Sequence, residues 1–169
     1  MLGYINLTGR GQIDRALASL ADELLSAQVH VAGAVQHNPP RDSDMRRHMD
    51  LVVLPTRKTI RISQSLGAQA VGCQLDLTAL TEVAGLVEAQ LRADPTPALL
   101  IVNKFGQQEV AGRGFRTAIS AALESDIPVI VGVQESCTAP FLAWAGDLAE
   151  SIAADKLWEW CLHTTGARA

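Results

Sequence analysis

No apolar run in this sequence approaches the roughly 18 residues that a membrane-spanning helix needs, so no membrane insertion is expected. The N-terminus has neither a basic n-region nor a long apolar h-region, and no signal peptide is expected. There is no excess of positive charge. The formal net charge is −4, which argues against general nucleic-acid binding and leaves room only for a local basic patch. Cysteine is scarce and odd in number: Cys73, Cys137 and Cys161 lie far apart, with no C-x-x-C pair. A zinc site built from cysteines alone is therefore disfavoured, and free thiols in a reducing cytoplasm are expected. Internal repeats and low-complexity segments are absent.

The 169 residues, 48% hydrophobic and 19% charged, suffice for one α/β domain spanning the whole chain with a substantial core. Its organising stretch is Ala98–Arg116, ALLIVNKFGQQEVAGRGFR. The apolar run Ala98–Val102, bounded by Pro97 and later by Gly106, reads as a strand buried on both faces. It switches abruptly to Asn103-Lys104. In open α/β sheets ligands sit outside the carboxyl ends of such strands, so Asn103, Lys104 and the loop behind them should line any site.

Around it the chain reads in order. Gly3–Leu7 is a strand candidate, followed by Thr8-Gly9-Arg10-Gly11. A helix from about Gln12 to Gln28 carries Ile13, Leu17, Leu20, Leu24 and Leu25 at helical spacing, and Val29–Gln36 is a second strand, completing a βαβ unit. The polar stretch His37–Met49 reads as a surface loop. Asp50–Pro55 and Lys58–Gln64 read as an antiparallel hairpin turned at Thr56-Arg57. After a loop over Ser65–Asp76, a helix capped by Asp76 runs from about Leu77 to Ala93. Gly114–Leu123 is a further helix and Ile127–Val133 the last clear strand. The tail from Pro140 to Leu162 reads helical.

Gly9–Ala16 follows a strand and opens a helix, which is the setting of the phosphate-binding loop G-x-x-x-x-G-K-[ST]. Laid in register from Gly9, the pattern fails: Asp14 takes the second glycine's place, Arg15 the lysine's and Ala16 the hydroxyl residue's. Arg15 could still meet an anion as a planar fork. The central strand departs in parallel. A nucleoside triphosphatase ends it with Asp, often Asp-Glu, to hold Mg²⁺ and orient water, where this chain has Asn103-Lys104.

The order LTG, helix, HVAGAVQ, hairpin, LLIVNKFGQQE, GRGFRTAI and IPVIVGV resembles the small cancer-related, or thermophilic, nucleoside triphosphatases. Their Asp-Glu-x-Gly-x-x-Glu pattern survives here as Gly106 and Glu109. RISQSLGAQAVGCQLDLTAL and VNKFGQQEVAGRGFR are similar to a bacterial family of unknown function sometimes labelled as related to molybdenum-transport ATP-binding proteins; the likeness covers most of residues 3–162. The resemblance implies a three-layer α/β sandwich of the phosphate-loop type, a mostly parallel sheet with an added hairpin and a degenerate phosphate loop. It also implies, by the label alone, a connection to an oxyanion such as molybdate and a transporter-associated partner.

The expected ligand-binding set is Gly9, Arg10, Gly11, Arg15, Asn103, Lys104, Arg113 and Arg116. Helix N-termini and these cations should make the sheet's carboxyl edge positive, with Asp14 turned away to favour the helix dipole. Cys73 reads as a thiolate or soft ligand, or more simply as a small buried residue. Glu109 reads as a general base, or more simply as an acceptor for a local Arg or backbone N–H. Arg61 and Gln64 read as ligand readers, or more simply as a solvated strand face. The expectation is a non-hydrolytic accessory protein binding a small anion or nucleotide, with no required cofactor or metal. The alternatives are a nucleoside triphosphatase with an atypical loop, and an interaction protein, dimeric, with no small-molecule site.

Overall fold

The computed structural model describes residues 1–37, 48–64 and 75–167. The expected feature at Cys73 lies outside them. In chain order the elements are β1 (Leu2–Ile5), α1 (Gln12–Ser26), β2 (Val31–His37), β3 (Asp50–Leu54), β4 (Lys58–Arg61), α2 (Leu77–Leu91), β5 (Leu99–Phe105), α3 (Gln107–Val110), α4 (Arg116–Glu124), β6 (Val129–Val133), α5 (Thr138–Ala145), β7 (Ala149–Ser151) and α6 (Leu157–Thr165). The strands form one sheet in the order β4-β3-β2-β5-β6-β1-β7. Pairings among β2, β5, β6, β1 and β7 are parallel; β3 and β4 join as the antiparallel hairpin.

The apolar run of β5 explains the layering. Leu99, Leu100, Ile101 and Val102 are all fully buried, alternating between two cores. Leu100 and Val102 share one core with Val83 and Val87 of α2, Ile119 of α4 and Phe141 of α5. Leu99 and Ile101 belong to the other, with Leu17 and Leu24 of α1 and Cys161 of α6. A strand apolar on both faces needs cover on both, and a three-layer α/β sandwich supplies it. Asp76 caps α2 as expected, its Oδ1 accepting from the N–H groups of Thr78 and Ala79 at 2.9 and 3.0 Å. The hairpin closes because Arg57 adopts φ 62°, supplying the left-handed residue that an Asn-Gly turn would otherwise provide.

In the sheet order β6 lies between β1 and β5. Two expectations change. The tail is not helical throughout: β7 interrupts it and extends the sheet beyond β1. The central strand does not end at Val102 but continues to Phe105. Among the described residues no helix is long and apolar enough to cross a membrane.

Candidate functional site

The loop between β1 and α1 sets the register of the site. β1 ends at Ile5, and α1 begins at Gln12 with Gly11 as its N-cap at φ 71°. In the phosphate-loop pattern the second glycine stands at the helix mouth and the lysine opens the helix. The pattern therefore lies over Asn6–Ile13, NLTGRGQI. Gly11 takes the second glycine's place, Gln12 the lysine's and Ile13 the hydroxyl residue's. The register from Gly9 is corrected: it would bury the second glycine in the first turn of α1, and Arg15 is one turn too far along. Gly9 has φ 116°, a conformation that disfavours a side chain, and Gln12 lies across it, with Nε2 only 2.6 Å from where a Cβ would stand. Asn6 Nδ2 donates to Thr138 Oγ1 at 2.7 Å, tying the loop to the start of α5. Arg10 and Arg15 are exposed and make no ion pair among the described residues.

A bulge in β5 builds the other half. Val102 pairs with Val131 and Phe105 with Val133, so three steps on β5 match two on β6. Val102 and Phe105 both face the α2/α4 core, and the extra residue lets Asn103 and Lys104 both reach α1. Asn103, 1% exposed, donates from Nδ2 to Asp14 Oδ1 at 2.8 Å and accepts the Gln36 N–H on Oδ1 at 2.8 Å. Lys104 Nζ lies 3.2 Å from the same Asp14 oxygen and donates to Gln36 Oε1 at 3.4 Å. Asp14 is thus buried and turned inward, not away. The positive charge expected at this edge is met by a carboxylate within the protein, because the one ammonium at the strand end needs a counter-charge once it is partly desolvated.

The remaining candidates are spread over the surroundings. Glu109 is buried and holds the loop after β5: Oε2 accepts the Gly106 N–H at 2.9 Å and Oε1 the Phe115 N–H at 3.0 Å. Burial pushes its pKa up, and those backbone N–H groups pull it back. Gly106 leaves room for Gln134, whose Oε1 is 2.8 Å from where a Cβ would be. Arg113 pairs with Gln108 Oε1 at 3.0 Å on the surface. Arg116 donates to the Glu109 carbonyl at 2.9 Å and stacks 4.1 Å from the centre of the Trp144 ring. Both cations are thus engaged locally. Arg61, on the edge strand β4, pairs with Asp50 at 3.0 Å, which raises its pKa. Gln64 donates to the Leu75 carbonyl at 3.3 Å. Sequence reasoning missed Gln36, which carries no pattern signal. It missed Gln12 although the strand-to-helix spacing pointed to it.

This edge belongs to an α/β protein with a fold of the phosphate-loop type. The solution structure of a human cancer-related nucleoside triphosphatase shares the fold, with a TM-score of 0.65 and 17% identity over 99% of this chain and 98% of that one. The chain belongs to the family described as protein of unknown function DUF2478, whose family model matches residues 2–160. It is also 31% identical over 144 residues to the molybdenum import ATP-binding protein ModC 2 of Bradyrhizobium diazoefficiens. That match takes in 85% of this chain but only 16% of the relative's length.

Proposed function

We propose that this protein binds a phosphate-bearing nucleotide or a small tetrahedral oxyanion at the mouth of β1 and does not hydrolyse it. The observation that carries the reading is the Asp14–Asn103–Lys104 cluster. Hydrolysis on this fold calls for a strand-end carboxylate to hold Mg²⁺ and orient water. Asn103 and Lys104 stand there instead, and the carboxylate within reach, Asp14, is engaged by both. Binding keeps more support than catalysis. Gly9 and Gly11 retain the positive φ of a tight loop, and α1 has no side-chain cap on its first N–H groups. Arg10 and Arg15 add exposed positive charge beside it. No cofactor is required in this reading. An accessory role beside a transporter, with molybdate as the oxyanion, draws its support from the likeness to ModC 2.

The test is a thermal-shift panel of ATP, ADP, GTP, phosphate, sulfate and molybdate, run beside a phosphate-release assay with a Gln12→Ala control. A ligand at a hundred times its Kd should stabilise the protein by about 2.7 kcal/mol. The reading expects a shift with at least one ligand and no Mg²⁺-dependent turnover. Turnover abolished in Gln12→Ala would favour an atypical triphosphatase. No shift with any ligand would favour an interaction protein, such as a homodimer.

A further inference from the structure

Phosphate-loop hydrolases take their nucleotide with Mg²⁺, held by the loop hydroxyl and the strand-end acid. The donors in this chain do not fit that ion. Ile13 stands at the hydroxyl's place and offers only hydrocarbon. Asn103 stands at the acid's place, and both ends of its amide are used: Nδ2 on Asp14 and Oδ1 on the Gln36 N–H. An ammonium, Lys104 Nζ, lies 3.2 Å from the Asp14 carboxylate. Among the described residues no three His, Cys, Asp or Glu side chains come together. Hard divalent cations need several oxygen donors and little nearby positive charge.

We infer that Lys104 is a resident cation standing in for the metal, and that the site takes its phosphate group metal-free, so that Mg²⁺ competes for the ligand instead of assisting it. This rests on the phosphate-ligand reading above. The pair is polarised in the required sense. The Lys104 side chain is 31% exposed and that of Asp14 only 9%, so the positive member faces outward and the negative one supports it from inside. The ammonium is ion-paired with Asp14 and donates one hydrogen bond to Gln36, and its three protons leave a donor for an incoming oxygen. A bare phosphate oxygen suits that donor and the positive end of α1, which has no side-chain cap. A Mg²⁺-phosphate complex would bring a second cation against Lys104 and find no protein oxygen free of hydrogen bonds at the hydroxyl and acid positions.

The phosphate group could come from a nucleotide or from an inorganic oxyanion, and calorimetry separates these. ATP, ADP, inorganic phosphate and molybdate are each titrated into the full chain, once with EDTA and once with Mg²⁺ in excess of ligand. If a nucleotide is the ligand, its affinity should fall about tenfold or more with Mg²⁺, because the metal claims its phosphates. If an inorganic oxyanion is the ligand, it should bind equally in both buffers, since Mg²⁺ complexes it weakly. In Lys104→Met, binding in EDTA should drop about tenfold and the penalty from Mg²⁺ should shrink, because the repulsion between the metal and the ammonium is gone. Tighter binding of ATP or ADP with Mg²⁺ in the wild type would overturn this inference and leave the binding reading standing. Unchanged affinity in a folded Lys104→Met variant would overturn it as well. If that variant does not fold, the wild-type comparison decides alone. Absence of binding by all four probes in both buffers would remove the binding reading and this inference together.

Discussion

Lys104, on the bulge of β5, and Asp14, in the first turn of α1, meet at 3.2 Å across 90 residues of sequence. Asn103 donates to the same Asp14 oxygen at 2.8 Å, so two neighbouring strand residues converge on one carboxylate. The contact fastens the start of the first helix to the carboxyl end of the central strand. It also fixes the charge at the edge of the sheet where this fold binds its ligands.

The pair should be strongly coupled. Asp14→Ala leaves Lys104 and the Asn103 amide without their acceptor and should cost about 1–3 kcal/mol. Lys104→Met leaves a buried carboxylate with less compensation and should cost a similar amount. The loss stays below the roughly 3–5 kcal/mol of a fully buried pair because Lys104 is partly exposed. The double variant should cost less than the sum by about 0.5–3 kcal/mol, read from denaturant unfolding of all four proteins. Strict additivity would mean that the pair contributes nothing as a pair.

Glu109 should be a fold-holding acid whose contribution depends on pH. Glu109→Ala leaves the Gly106 and Phe115 N–H groups without acceptors and should destabilise by about 2–4 kcal/mol. Its folded pKa is raised, chiefly by burial. The folded state therefore holds the proton more tightly than the unfolded chain. The associated stabilisation is complete below the ordinary glutamate range and is lost as pH rises through the raised value. Wild type minus Glu109→Gln should accordingly shrink as pH rises through that window, measured by urea unfolding at several pH values. A difference that grew with pH would reverse the assignment.

Arg116 should matter for packing and not for ligand. It stacks on Trp144 and donates to the Glu109 carbonyl, and burial lowers its pKa. Arg116→Lys keeps the charge but loses the planar stack, and should cost about 1–2 kcal/mol with a shift in tryptophan emission. Affinity for the phosphate ligand should change by less than about twofold. A tenfold loss of affinity would return Arg116 to the ligand site.

Cys161 should be inert. Burial pushes its thiol up to about 12, so almost no thiolate forms at pH 8. Peptide mapping after iodoacetamide treatment should find it unmodified in the native protein and modified in denaturant. Rapid native labelling would contradict the full burial of Cys161 in its core.

Much of the sheet was legible because burial on both faces writes continuous apolar runs, as at Ala98–Val102 and Ile127–Val133. The hairpin and the Asp76 cap were legible from alternation and from one capping residue. β7 was not: Ala149-Glu150-Ser151 is short, lies at the edge and has no periodicity, and its pairing with β1 depends on tertiary placement. The inward turn of Asp14 was not legible either. It depends on a bulge between Val102 and Phe105, and nothing in the residue types there announces an extra residue. The loop register went wrong for a different reason. Gly9 resembles an opening glycine by residue type alone, while the start of α1 at Gln12 puts Gly11 at the helix mouth.

Phosphate release from ATP and GTP by the wild-type protein, with Mg²⁺ present and the protein in excess of nucleotide, tests the central claim most directly. With Lys104 and Asn103 at the strand end and Ile13 at the hydroxyl position, release should not exceed that of nucleotide alone, while the nucleotide recovered is intact. Mg²⁺-dependent release that Gln12→Ala or Asp14→Asn abolishes would contradict it.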